Sequence, residues 1–286
     1  VWDQEWKPLV KRAAELLKDE DLETAARSTQ YAHYTSEPVI RGIWQAMERL
    51  GFKGSKILEP GMGNGLFAMM APPKVFSKSR YTGLEMDGFT ARIAKYLLPQ
   101  ETVLHADYTK QKFPDGFFDL AIGNPPFGKI PILDDAAYRR YRFPIHDYFF
   151  AKSLDKVRPG GVLAFVTSRY TMDKLDAKAR DYLAERADLL GAIRLPRQAF
   201  MQNAGTEVVT DIIFLRRRAP GEPPAGEPWT GTREIAVGGE QFLQPQLRKL
   251  GGRFQSVNIA MPDRHSAGVF LDQCECRAVN EFRRNA

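Results

Sequence analysis

From Ser55 onward, short apolar runs alternate with amphipathic stretches, and this alternation constrains the fold more than any other feature of the chain. "SKILEP" reads as a strand, followed by the apolar helix start "LFAMMA"; "YTGLEM" is a second strand, followed by the helix "FTARIAKYLL". "TVLHAD" and "FFDLAIGN" are the third and fourth strands. The helix "DYFFAKSLDKVRPGG", ending in a Gly turn, leads to a fifth strand, "VLAFVTS". After the helix "LDAKARDYLAERA" come "LLGAIRLP" and "VVTDIIFLRRR", the sixth and seventh strands. Strands that alternate with helices form a parallel sheet covered on both faces. Only the loop "RQAFMQNAGTE" separates the last two strands, too little for a helical crossover, so that pair runs antiparallel. The fold class is α/β: a seven-stranded, mostly parallel sheet with an antiparallel last strand and helices on both faces.

Three parts are expected along the chain. Residues 1–30 form an N-terminal helical segment, with Leu9, Leu16 and Leu17 apolar among charges. Residues 31–218 hold the main domain, which includes the helix "PVIRGIWQAMERLG". Pro38 lies in its first turn, Val39, Ile43, Met47 and Leu50 share one face, and Gly51 stops it. Residues 219–286 begin with the Pro/Gly-rich linker "APGEPPAGEPWTG" and continue as a tail of weak periodicity to which no fold is assigned. The Val start and the ill-fitting tail suggest a piece of a larger protein. No apolar run reaches the ~20 residues of a membrane span. Cys274 and Cys276, the two cysteines, stand too close for a relaxed disulfide, so a reducing cytoplasm is the default. The net charge of +6 permits a polyanion partner without demanding one.

The chemistry is concentrated at strand ends. In "ILEPGMGNG", Gly61, Gly63 and Gly65 follow the first strand; without Cβ atoms they let backbone approach a ligand, and Glu59 can accept from a cationic or amino group. Glu85, with Met86 after it, closes the second strand, where a carboxylate can accept from both ribose hydroxyls. Asp107 closes the third and can accept from an adenine amino group, with Tyr108 beside it to pack on a ring. Singly, each is equally well a tight turn or a solvated acid. Three successive strand ends with acids at one edge point to a nucleoside pocket.

"AIGNPPFGK" closes the fourth strand at that same edge. The Asn124 amide oxygen and the Pro125 carbonyl can accept two hydrogen bonds from an NH2 group, localising the lone pair that an aromatic amine needs to act as a nucleophile. Phe127 offers a face for the ring carrying that amine, with stacking worth ~1–3 kcal/mol. Pro125 and Pro126 fix the two acceptors with little entropy left to lose.

In their order, "ILEPGMGNG", "YTGLEMD", "LHADY" and "LAIGNPPFG" resemble the S-adenosylmethionine-dependent amino-methyltransferases, most closely the N6-adenine-specific DNA methyltransferases, over roughly Gln30 to Arg216. The resemblance implies the class I, Rossmann-like methyltransferase fold, S-adenosyl-L-methionine as cofactor and DNA as partner. It also implies a site-specific enzyme that methylates the N6 amine of an adenine flipped out of the duplex. Glu59, Gly61 and Gly63 would hold the methionine end of the cofactor, Glu85 the ribose and Asp107 the adenine ring, with Met86 and Tyr108 alongside. Tyr34 and Thr35 in "QYAHYTSEPVI" match a stretch that lines the methionine end, though Ser36 and Glu37 are inserted before the Pro. Asn124, Pro125, Pro126 and Phe127 would form the catalytic grip. No metal is implied, and the four histidines (33, 105, 146, 265) read as structural.

Between NPPF and the next helix, Arg139, Arg140 and Arg142 interleave with Tyr138 and Tyr141, as substrate contacts to phosphate and base or, equally, as a solvated helix face. "RRR" at 216–218 reads as a strand end facing water. Alternatives are an RNA methyltransferase acting on adenine N6 or guanine N2, a protein-glutamine methyltransferase, and a truncated non-catalytic module. The short tail suggests that a separate recognition region or subunit supplies DNA specificity.

Overall fold

The computed structural model describes residues 7–18, 20–24, 35–195, 209–226, 228–237 and 240–245, from 233 onward as backbone alone. Seven strands form one sheet: β1 (Lys56–Pro60), β2 (Arg80–Glu85), β3 (Thr102–His105), β4 (Phe118–Gly123), β5 (Val157–Ser168), β6 (Ala187–Arg194) and β7 (Thr210–Arg217). Their order is β3-β2-β1-β4-β5-β7-β6. The first five are mutually parallel, and β7 lies antiparallel between β5 and β6. The antiparallel final pair therefore agrees with the loop-length argument. That β7 inserts beside β5 is a long-range choice that loop length does not encode.

Side chains alternate across the sheet with period two. Ile57, Leu120, Ile122, Ala164, Val166, Ile212 and Phe214 belong to one core, and Leu58, Ala121, Leu163, Phe165, Ile213 and Leu215 to the other. Helices α1 (Lys7–Leu16), α2 (Glu37–Arg49), α3 (Leu66–Met69), α4 (Pro73–Phe76), α5 (Gly88–Leu97), α6 (Ile145–Lys156), α7 (Tyr170–Asp173) and α8 (Lys178–Ala184) accompany it. On the first face, α2 buries Val39, Ile40, Ile43, Trp44 and Met47, and Trp44 Nε1 donates to the Phe67 carbonyl at 2.9 Å. That bond ties α2 to α3, the helix that follows the glycine loop. On the second face, α6 buries Tyr148, Phe150 and Leu154. By contrast α1 buries nothing: Leu9 and Leu16 are exposed, so its apolar stripe has no cover among the described residues.

Three local readings are corrected. α6 does not run into "RPGG" but stops at Lys156, and β5 starts at once, with Val157 opposite Phe118. Pro159 cannot donate within a helix, and Gly160 takes φ +77°. "RRR" does not face water as a free end: Arg216 pairs with Asp188 and Glu222, Arg217 donates to the Leu154 carbonyl, and Arg218 pairs with Asp188 at 2.9 Å. The linker-like stretch is a strap against the domain. Trp229 is buried in the second core, Ala225 N–H donates to Asp188 Oδ1 at 2.9 Å, and Thr230 O accepts from Arg180 Nε at 2.7 Å. The strap leads to a hairpin, β8 (Thr232–Val237) and β9 (Glu240–Pro245), inside the tail to which no fold was assigned; β9 lies against α7. No helix among the described residues is long and apolar enough to cross a membrane.

Candidate active site

Because β1 to β5 are parallel, their C-terminal ends share one edge, and β1 and β4 are direct neighbours there. The glycine loop that leaves β1 and the NPPF loop that leaves β4 therefore meet. A Cβ built on Gly61 would lie 3.5 Å from Pro126 Cδ, and Gly61 and Gly63 take φ values of +70° and +57°, where a side chain would strain the backbone. Gly123, at φ +144°, leaves room for Glu59: a Cβ there would be 3.2 Å from Glu59 Cγ. Glycines thus bring a carboxylate, a backbone cradle and a rigid amide turn into contact.

Glu59 is 1% exposed, and its partner is Tyr81, whose hydroxyl donates to Oε2 at 2.5 Å. Glu59 stands opposite Gly83, so Tyr81, two residues back on β2, reaches it diagonally across the shared face. Burial pushes the Glu59 carboxyl well above its usual range, the Tyr81 hydrogen bond partly offsets this, and the Glu85 charge adds to the rise. A raised carboxyl favours its neutral form in the folded state. Its contribution to stability is whole below the ordinary carboxylate range and is lost as pH rises through the raised value. Glu59→Gln should therefore gain stability relative to the parent as pH rises above the ordinary carboxylate range, by up to ~1.4 kcal/mol per unit. Urea denaturation of both proteins across that rise checks this, and a pH-independent difference would contradict it. A cationic ligand beside Glu59 would relieve the same cost.

Glu85 clamps the loop. Its Oε2 accepts from Gly63 N–H and its Oε1 from Asp87 N–H, both at 2.9 Å. Each oxygen keeps a further lone pair for a hydroxyl. Asp87 in turn caps α5 through Thr90 N–H at 2.8 Å. Met86 is exposed, and its carbonyl lies 3.1 Å from His105 Nε2. Asp107 Oδ1 accepts from the Thr109 amide and hydroxyl, both at 2.8 Å, and Oδ2 lies 3.7 Å from Lys110 Nζ on a side chain that is part-exposed. Tyr108 goes elsewhere. It is 4% exposed in the second core, its ring 5.0 Å from Phe149 and its hydroxyl 3.0 Å from Ser153 Oγ. The edge therefore gathers Glu59, Gly61, Gly63, Glu85, Met86 and Asp107, without the Tyr108 ring.

In the NPPF loop Asn124 is half-buried, Pro125 buried and Pro126 exposed, and Phe127 packs part of its surface against the first core. Thr35 is buried just ahead of α2, with Oγ1 unpartnered among the described residues; Tyr34 lies outside them. After the motif the chain makes a loop pinched at its base, with Pro131 bridged to Pro144 and Ile132 N–H donating to the Phe143 carbonyl at 3.0 Å. Its tip is a 3-10 turn, Arg139–Tyr141, anchored by the buried Tyr138, whose hydroxyl donates to Asp155 at 2.7 Å. Arg139, Arg140 and Arg142 are exposed on it.

With this geometry in place, comparison with known proteins is direct: residues 64–200 match the Eco57I restriction-modification methylase family. The match takes in the glycine loop from Asn64 onward, the NPPF turn and β2 to β6. The chain is 30% identical over 190 residues to the Defense against restriction protein B of Escherichia phage P1, covering 65% of this chain and 8% of that one. It is 30% identical over 179 residues to the Type II methyltransferase M.CvrRI of Paramecium bursaria Chlorella virus XZ-6E, covering 61% of this chain and 46% of that one. The chain thus spans less than half the length of these two relatives. A third relative, the rRNA N(6)-adenosine-methyltransferase metl-5 of Caenorhabditis elegans, is 25% identical over 199 residues, 66% of this chain and 87% of that one. Among solved structures, the type I restriction-modification methyltransferase subunit of Streptococcus thermophilus superposes with a TM-score of 0.56 at 20% identity, covering 65% of this chain and 44% of that one. The fold is the class I methyltransferase fold expected from the sequence.

Two features of the site edge are not legible in the sequence. Tyr81 looks like an ordinary strand aromatic until the β1–β2 register sets it against Glu59. Met62 fills the space above Gly83, where a Cβ would come within 2.1 Å of its sulfur. The glycine in "YTGLE" is the sequence trace of that contact.

Proposed function

We propose that this chain carries the catalytic part, residues 31–218, of a methyltransferase that modifies the N6 amine of adenine in DNA. The observation that carries the reading is the close approach of the glycine loop after β1 to the NPPF turn after β4, which supports a methyl-donor cradle beside an amine grip. S-adenosyl-L-methionine fits the cradle. Its cationic end suits the buried Glu59, which pairs with no cation among the described residues, its ribose the remaining lone pairs of Glu85, and its adenine the part-exposed carboxylate of Asp107. When bound it supplies a methyl group already activated by a sulfonium.

The chain's own residues supply orientation. Asn124 Oδ1 and the Pro125 carbonyl accept the two amine protons and turn the nitrogen lone pair toward the cradle, while Phe127 stacks on the extruded base. Extrusion costs a few kcal/mol, which stacking and the two hydrogen bonds offset. The exposed Arg139, Arg140 and Arg142 contact phosphates beside the site. Restriction-modification is the setting that the family supports. Target choice comes from a further recognition region or subunit, and the protein works where DNA and reduced cysteines coexist, in the cytoplasm.

The resemblance to metl-5, over most of that protein's length, favours RNA as the second reading. The discriminating experiment offers labelled S-adenosylmethionine with unmethylated duplex DNA and with ribosomal RNA in parallel. Label in DNA is expected. Label confined to RNA would transfer the assignment to the second reading, and label in neither would overturn both for this chain.

A further inference from the structure

Beyond the motif itself, the first turn of α6 holds a pair that the proposed chemistry does not use. His146 is 6% and Asp147 1% exposed. His146 Nδ1 lies 3.0 Å from the carbonyl oxygen of Gly128, the residue that follows Phe127. A carbonyl only accepts, so Nδ1 carries the proton, and Nε2 of the neutral ring is an acceptor. That nitrogen is buried and makes no hydrogen bond among the described residues, nor does the equally buried Asp147 Oδ1, 3.5 Å away. The other Asp147 oxygen pairs with Lys174, which closes α7 at the end of β5, and Asp173 beside it pairs with Arg194 at the end of β6.

An unsatisfied buried nitrogen is costly, and a phenyl ring would fill the same space without it. Packing alone therefore does not account for an imidazole here; the Nδ1–H bond to Gly128 does. We propose that His146 is a positioning residue for the amine grip. It fixes the NPPF loop to α6, and Asp147, through Lys174, fixes α6 to the helix that follows β5, so that the amine grip keeps one position against the sheet edge. This rests on the functional reading above. Neutral His146 fits the role: burial lowers its pKa, the Asp147 charge opposes that, and Lys174 adds to it.

The test compares His146→Phe, which keeps a buried ring without the donor, with His146→Asn, whose side-chain N–H can stand in for Nδ1–H. In the Phe variant kcat for methyl transfer should fall by about ten- to a hundredfold while calorimetric S-adenosylmethionine affinity stays within about twofold. Amide hydrogen exchange at residues 127–130 should quicken. The Asn variant should restore both the slow exchange and most of kcat. Unchanged exchange in the Phe variant, or Phe and Asn variants that behave alike, would overturn the proposal. If the parent transfers no methyl group to adenine, the functional reading fails separately, and the exchange comparison still decides whether His146 holds the loop.

Discussion

Replacing Asn124 by Ala should lower the proposed methyl transfer by about a thousandfold and leave S-adenosylmethionine affinity within about twofold. Asn124 follows Gly123 at the end of β4, on a turn stiffened by Pro125 and Pro126, and its neighbourhood with the glycine loop is fixed by the contact of Gly61 with Pro126. In the proposed function the side-chain oxygen would be one of two acceptors that localise the amine lone pair, and it would act on the substrate rather than on the cofactor. Removing one preorganised hydrogen-bonding group from a reaction centre typically costs about 100- to 1,000-fold. The upper end applies because the remaining carbonyl alone leaves the amine free to rotate. Asn124→Asp, which keeps an acceptor, should retain more activity than Ala. Single-turnover kinetics with calorimetry separate the two effects, and a parallel loss of cofactor affinity would assign Asn124 to the cradle instead.

Arg180→Met should destabilise the fold by about 3–5 kcal/mol, because Arg180 is completely buried yet its guanidinium bonds are all to backbone oxygens. It donates to Thr171 O at 3.1 Å, Lys174 O at 2.7 Å and Thr230 O at 2.7 Å. Those acceptors belong to α7, to its C-terminal cap and to the strap. Met fills much of the volume but supplies no donor, so buried carbonyls lose charge-assisted bonds worth ~1.5–3 kcal/mol each. At ~2–4 °C per kcal/mol for a domain of this size, the melting temperature should drop by about 10 °C. Proteolysis within residues 219–231 should also quicken as Trp229 loses its seat. A change below ~1 kcal/mol, with the strap still protected, would contradict this account.

Arg180 also shows where reading the chain stops. The apolar runs around Ile57, Leu120, Leu163 and Ile213 are legible as strands because turn-forming residues bound them, and strand ends rich in Glu, Asp and Asn announce one functional edge. Gly61 and Gly63 are legible for the same reason, since their backbone angles forbid other residues. What the chain does not announce is anything decided by pairing across many residues. The insertion of β7 beside β5, the Tyr81–Glu59 contact and the seat of Tyr108 against Phe149 all follow from register and packing. Composition misleads where charge or flexibility has a buried partner. Asp188 absorbs Arg216 and Arg218, and the second core holds Trp229 inside a stretch that reads as linker.

The central claim is that the NPPF turn presents an adenine amine to a methyl donor. It is tested most directly by digesting labelled DNA to nucleosides after reaction and identifying the methylated product by mass spectrometry. The account predicts N6-methyladenine, present with the parent protein and absent with Asn124→Ala. Label in cytosine, in guanine or in the protein itself would contradict it.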